Sequence, residues 1–299
     1  MNLSIIGGDY RTVKLIKLLA KDEHMISVWG FDECEEITNM HNIFLNNDIL
    51  KVLNNSNIII GPIPFTKDKE YIVSQYTKNK IKIDELIDYT NSKLFISGNI
   101  PEEYKTRNNC IDLLEDEELT IANAILTAEG TINILMQNTH KALFNSNILI
   151  IGYGRIGKIL TDRLKGFKAN VFCSARGKDL TWINTYGINS VNYSNFDSEL
   201  SKFDYIINTV PIMILDDERL KLIKQNTLII DVSSTPGGVD FEAAKRLDLK
   251  VLWELGIPGK MLPLSAAEYL KKAIYKTIEN KGENKWQYYN LLFWELYKD

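Results

Sequence analysis

The chain has 299 residues, 45% hydrophobic and 25% charged, with a formal net charge of −4. That is about two domains of ordinary globular composition, large enough to fold without a disulfide or metal staple and too acidic to collect a nucleic-acid backbone. Cys34, Cys110 and Cys173 form no C-x-x-C pair, no basic leader precedes the first strand, and no apolar run approaches the roughly 20 residues that span a bilayer, so a cytoplasmic protein with no membrane partner is expected.

In chain order, short apolar runs (LSII at 3–6, ISVWGF at 26–31, NIII at 57–60, KLFIS at 93–97) alternate with helix-sized segments. The first such segment carries Leu15, Ile16, Leu18 and Leu19 on one face. Strands spaced in this way predict βα units and a parallel sheet. The first strand runs into IIGGDYR, a glycine turn at residues 5–11. His24, His41 and His140 are isolated and lack zinc-ligand spacing, so no metal site is expected. The acidic run EDEE at 115–118 reads as charge placed ahead of a helix, where the dipole favours it. From Thr127 the pattern TAEGTINILMQNTHKALF predicts one helix, with Ile132, Leu135, Met136, Thr139 and Leu143 on a stripe.

A second alternating series starts at Asn147 with NILIIG and continues through NVFCS, INSVNY, DYIINTV, TLIIDVS and KVLWEL, six strands in all. Within it, ILIIGYGRIGKIL places Gly152-x-Gly154-x-x-Gly157 directly after a strand and at the start of a helix. Gly152 permits the tight turn, Gly154 lets a pyrophosphate approach, Gly157 lets the helix pack on the sheet, and Arg155 and Ile156 open that helix under the anion. An NAD site generally has an acidic residue about 20 positions on, for the ribose 2′-OH. Here VFCSARGK offers Ser174, Arg176 and Lys178 instead, a hydroxyl and two cations suited to a 2′-phosphate, so NADP is the expected cofactor. Further strand exits bring Asn208, Thr209, Val210, Pro211, Ser233 and Ser234 to the same edge as cofactor-binding candidates, and Asn208, Thr209, Ser233 and Ser234 are expected to flank the nicotinamide.

The fold class is therefore α/β: two Rossmann-like domains with parallel sheets, joined by a long interdomain helix. Residues 1–126 form the substrate and catalytic domain, 127–145 the bridging helix and 146–280 the NADP-binding domain. An aromatic helix at 281–299, with Trp286, Tyr289, Phe293 and Leu296 in register, is expected to pack on the first domain or on another protomer of a homo-oligomer.

This layout resembles the D-2-hydroxyacid dehydrogenases, and TAEGT stands where that family has its S-x-A-E helix start. The chemistry differs: SSTPGG and IPGKMLP replace the family's arginine and histidine segments, and no histidine follows His140. A fuller resemblance is to the dipicolinate synthase A-subunit family of spore formers, carried by IIGGDYR, WGFD at 29–32, AEGTI at 128–132, GYGRIG, NTVPIMIL at 208–215, SSTPGGVDF at 233–241 and GIPGK at 256–260. It implies NADP-linked oxidation of a dihydrodipicolinate, formed from 4-hydroxy-tetrahydrodipicolinate, to dipicolinate during sporulation, beside the flavoprotein-like B-subunit of that synthase. A small cyclic dicarboxylate needs anchors. Arg11, beside Gly8, offers a two-pronged grip, and a helix start at Thr127 would aim the N–H groups of Glu129, Gly130 and Thr131 into an interdomain cleft, with Lys260 as a third candidate. Asp9 either acts as the base or orients Arg11, and Glu129 competes for the base role. The alternatives are a non-catalytic NADP-binding sensor or scaffold and a 2-hydroxyacid dehydrogenase-like oxidoreductase.

Overall fold

The computed structural model describes residues 1–281 except 39, 91, 107 and 108, so the aromatic tail with Trp286, Tyr289, Phe293 and Leu296 lies outside the described residues. In chain order the first half runs β1 (Asn2–Ile6), α1 (Tyr10–Lys21), β2 (Met25–Trp29), β3 (Ile43–Leu45), α2 (Ile49–Asn54), β4 (Ile58–Ile60), α3 (Ile83–Thr90), β5 (Leu94–Ser97), α4 (Glu102–Lys105) and β6 (Cys110–Asp112). A long helix, α5 (Glu117–Gln137), follows. The second half runs β7 (Asn147–Ile151), α6 (Arg155–Gly166), β8 (Asn170–Ser174), α7 (Gly177–Thr185), β9 (Asn189–Val191), α8 (Phe196–Glu199), β10 (Tyr205–Asn208) and α9 (Asp217–Leu220). It closes with β11 (Leu228–Asp231), α10 (Phe241–Arg246), β12 (Lys250–Trp253), α11 (Ile257–Met261) and α12 (Pro263–Asn280).

Two compact units result. Among the described residues, one holds residues 1–122 and 263–281, the other residues 123–262. The division falls inside α5 and again between α11 and α12. Each unit contains a six-stranded sheet, in the orders β3-β2-β1-β4-β5-β6 and β9-β8-β7-β10-β11-β12. Counted along each half, both orders are 3-2-1-4-5-6, the doubly wound arrangement whose order reverses beside its first strand. The pairings are parallel: Ile5 lies between Val28 and Ile60 in the first sheet, and Ile207 between Ile150 and Ile230 in the second. These central strands are buried on both faces, which is why they read as unbroken apolar runs.

In the first unit, α1 places Val13, Leu15, Ile16 and Leu19 in the core, where Leu270, Ile274 and Ile278 of α12 join them. Burying a side chain of this size contributes roughly 1.5–3 kcal/mol, so α12 is integral to that unit. Residues 263–280, expected with the second domain, are therefore corrected to the first.

The expected helix at 127–145 is also displaced. It begins ten residues earlier at Glu117, because the Asp116 carboxylate accepts the Leu119 N–H at 3.0 Å and Glu117 and Glu118 occupy its first turn. It stops at Gln137, where the Asn138 side chain bonds back to the Ile134 carbonyl at 2.9 Å. Lys272 and Lys276 of α12 pair with Glu118 and Asp116 at 2.5 and 2.7 Å, giving the acidic run partners as well as a dipole. At 21 residues, α5 is the one helix among the described residues long and apolar enough to cross a membrane, a length that the sequence pattern does not reveal because charge and threonine interrupt it. Ala128 and Leu135, fully buried, pack in the second unit's core.

Candidate functional site

The open end of the second unit is built on the turn between β7 and α6. Gly152 has φ +101, a conformation that glycine adopts without strain, and a Cβ there would meet Thr209 Oγ1 at 2.5 Å and Val210 Cγ2 at 2.7 Å. A Cβ on Gly157 would lie 2.1 Å from the Gly152 carbonyl oxygen, so only glycine lets α6 sit this close to the strand. Gly154 caps α6 with no side-chain acceptor and has nothing within 4 Å of a Cβ position. Among the described residues, the first turn of this twelve-residue helix therefore has no side-chain cap, as a pyrophosphate requires. Arg155 is exposed and Ile156 half-buried beside them. Behind the turn, Cys173 places Sγ 3.7 Å from the Gly152 carbonyl, and burial pushes its thiol up to about 12, so it stays neutral and packs.

At the end of β8, Arg176 caps α7 and is exposed, as is Lys178 two residues on. Both cations stand where the sequence places them. Ser174 also ends β8 but is fully buried; its carbonyl accepts the Gly152 N–H at 2.8 Å, and its hydroxyl has no partner among the described residues. The open turn, its glycines and the two exposed cations fit a nicotinamide dinucleotide.

The strand exits of β10 and β11 are more tightly knit than expected. Asn208 is fully buried; its amide donates to Val210 O at 3.0 Å, Asp231 Oδ1 at 3.0 Å and Ser233 Oγ at 3.3 Å, and its Oδ1 accepts the Val210 N–H. Thr209 returns its hydroxyl to the Ile151 carbonyl at 2.8 Å. Ser233 is buried and donates to Asp231 at 2.6 Å. Asn208 and Ser233 are thus corrected from ring-flanking residues to the frame beneath, leaving Pro211 and Ser234 exposed and Val210 half-buried at the edge. Asp231 is the centre of this frame, and an aspartate closing the apolar run LIID is its only signal in the sequence, too weak to mark it as a site residue.

The corresponding turn in the first unit is closed. Gly7 and Gly8 have φ +60 and +130, but the Gly8 N–H donates to Val73 O at 2.8 Å and its carbonyl accepts from Gln75 at 3.0 Å. A Cβ on Gly7 would lie 2.5 Å from Val73 O. The chain's own 73–75 segment covers Gly7 and Gly8, Asp9 stands at the N-cap position that Gly154 holds in the second unit, and Gly8 has no N–H to offer a substrate.

Asp9 caps α1, accepting the Arg11 N–H at 3.0 Å. It also takes the Arg11 side chain, with Nε at 3.1 and 3.0 Å from its two oxygens and Nη2 at 2.6 Å; Nη2 donates in addition to Ile63 O. The two-pronged grip that the sequence reserves for a substrate is closed on Asp9, and Nη1 is the guanidinium nitrogen without a hydrogen bond among the described residues. The Arg11 side chain is 11% exposed.

The second expected anchor is absent. Glu129, Gly130 and Thr131 lie in the middle of α5, where backbone N–H groups belong to the helix ladder. Gly130 serves packing: a Cβ would meet Ile257 Cγ2 at 2.2 Å. Thr131 is buried and bonds to Thr127 O at 2.7 Å, and Glu129 pairs with Arg163 at 3.0 Å. Lys260 is exposed and 3.7 Å from Glu254.

Residues 2–113 match the N-terminal domain of the dipicolinate synthase A-subunit, and residues 114–240 match the NAD binding domain of D-isomer specific 2-hydroxyacid dehydrogenases. The dipicolinate synthase A-subunit of Bacillus subtilis strain 168 is 27% identical over 287 residues, 93% of this chain and 96% of its own length. The crystal structure of the dipicolinate synthase A-subunit from Bacillus halodurans superposes with a TM-score of 0.82 at 28% identity, covering 93% of this chain and 97% of that one. The crystal structure of the same polypeptide of dipicolinate synthase from Bacillus subtilis gives 0.81 at 25% identity, covering 95% and 98%. The resemblance to the dipicolinate synthase A-subunit therefore spans nearly the whole chain, which is an oxidoreductase with a nicotinamide cofactor.

Proposed function

From a chain that joins a dipicolinate synthase A-subunit N-terminal domain to a dehydrogenase NAD-binding domain, we propose an NADP-dependent oxidation of dihydrodipicolinate to dipicolinate. The observation that carries the cofactor choice is the open Gly152-x-Gly154-x-x-Gly157 turn with Arg176 and Lys178 exposed at the next helix start and no carboxylate in the stretch 170–178 that ends β8. When bound, the nicotinamide supplies a two-electron acceptor for hydrogen removed from the ring. Dihydrodipicolinate, formed by loss of water from 4-hydroxy-tetrahydrodipicolinate, gives up a hydride and a proton and becomes the aromatic pyridine dicarboxylate.

Aromatisation supplies much of the driving force, so this chain's residues chiefly bind and orient. Arg11 presents Nη1 to one substrate carboxylate, held in place by Asp9, whose carboxylate is committed to the guanidinium and the helix cap. That commitment supports the orienting role of Asp9 over the role of base. The 2′-phosphate is met by Arg176 and Lys178. Sporulation in the cytosol, a flavoprotein-like B-subunit as partner and assembly into a homo-oligomer complete the proposal.

The test is the purified chain, alone and with the B-subunit, given NADP+ and freshly made 4-hydroxy-tetrahydrodipicolinate. NADPH absorbance is expected to rise with dipicolinate. Cofactor binding without turnover in both preparations overturns the reading in favour of a sensor or scaffold.

A further inference from the structure

The frame under the β10 and β11 exits holds a negative charge with no cation. Asp231 is fully buried at the last position of β11. Its Oδ1 accepts from Asn208 Nδ2 at 3.0 Å, Ser233 N at 2.9 Å and Ser233 Oγ at 2.6 Å, and its Oδ2 accepts from Gly238 N at 2.7 Å. Four neutral donors and no salt-bridge partner among the described residues satisfy the carboxylate as an acceptor but leave its charge uncompensated. The 232–238 loop is shaped around it. Gly237 has φ +89, and a Cβ on Gly238 would fall 2.2 Å from Asn208 Nδ2. The Trp253 indole donates to Ser233 O at 3.1 Å and closes the far side.

In a doubly wound sheet the pyrophosphate sits at the first turn and the adenosine ribose at the end of the second strand, here β7 to α6 and β8. The nicotinamide half then falls to the β10 and β11 exits. The nicotinamide ring is cationic when oxidised and neutral when reduced, so a buried anion beneath it distinguishes the two states. We propose that Asp231 is a positioning residue of the cofactor site that fixes Asn208 and the 232–238 loop and, through its uncompensated buried charge, makes this unit bind oxidised cofactor more tightly than reduced. It acts through Asn208 and the loop without touching the ring.

The test is direct binding of NADP+ and NADPH by calorimetry or protein fluorescence, without substrate. Asp231→Asn removes the charge at nearly constant volume and costs one acceptor oxygen, a loss common to both cofactor forms, so the ratio reads the charge. It is expected to shift the ratio of the two dissociation constants toward the reduced form by about fivefold, the size of a partly screened single charge. Ser233→Ala removes a hydrogen bond and keeps the charge, so it is expected to weaken both forms equally. Equal weakening by Asp231→Asn overturns the proposal. If that variant does not fold, the wild type still decides: a buried charge is poorly screened, so the oxidised-to-reduced preference is expected to persist at 0.5 M salt to within about twofold. A preference that disappears with salt overturns it. Failure of the wild type to bind either form overturns the cofactor site itself, which is a distinguishable result.

Discussion

Arg11 is clamped by Asp9 two residues before it, with Nη2 to Oδ2 at 2.6 Å, and the same carboxylate caps α1. One side chain thus holds both the helix start and the cation. Arg11→Ala is expected to raise the KM for the dicarboxylate by about tenfold or more, the loss of one charge-assisted hydrogen bond, while leaving NADPH affinity within about twofold. Steady-state kinetics and cofactor titration on the same preparation check this; a fall in cofactor affinity alone removes Arg11 from the substrate site.

Arg176→Ala separates the two nicotinamide cofactors. NADPH binding is expected to weaken by about tenfold and NADH by less than about twofold, because only the former has a 2′-phosphate for the guanidinium. Fluorescence titration of the two is the measurement, and equal losses would remove the argument for NADP.

Gly130→Ala distinguishes packing from substrate contact. The new Cβ lies 2.2 Å from Ile257 Cγ2 inside a buried helix contact, so the variant is expected to lose about 1–3 kcal/mol of stability in urea unfolding. Its KM for the dicarboxylate is expected to stay unchanged at temperatures where it remains folded. An unchanged midpoint with a raised KM would return Gly130 to the substrate site.

His24 makes stability depend on pH. It is 5% exposed, with Nε2 2.9 Å from the Tyr275 hydroxyl of α12, and burial followed by the Met1 ammonium pushes it down to about 4. Below 6.5 the unfolded chain takes up a proton that the folded chain refuses. Stability is therefore expected to fall between pH 6.5 and about 4, by up to roughly 3 kcal/mol, and His24→Gln is expected to flatten that slope. Urea unfolding at pH 7.5, 6 and 5 tests it; parallel curves for variant and wild type would refute it.

Ten of the twelve strands stand out in the sequence because they are apolar runs next to turns. The missing two, β3 and β6, are three-residue edge strands whose side chains are largely half-buried or exposed, so no apolar pattern marks them. The glycine turn of the second unit is equally legible, since backbone geometry forces glycine at positions 152 and 157. What sequence does not reveal is which polar side chain faces inward. Ser174, Asn208 and Ser233 stand at the expected strand ends yet are buried, and the cap at Asp116 starts α5 early enough to put Gly130 in mid-helix.

The unit that begins the chain is finished by its last described helix, whereas residues 123–262 form one uninterrupted stretch. On the ribosome the order of completion is therefore reversed. The second unit has its whole sequence when residue 262 emerges, while the core around α1 waits for Leu270, Ile274 and Ile278. During that interval the nascent first unit exposes the apolar face of α1 that α12 will cover, and truncation before residue 270 would strand it there.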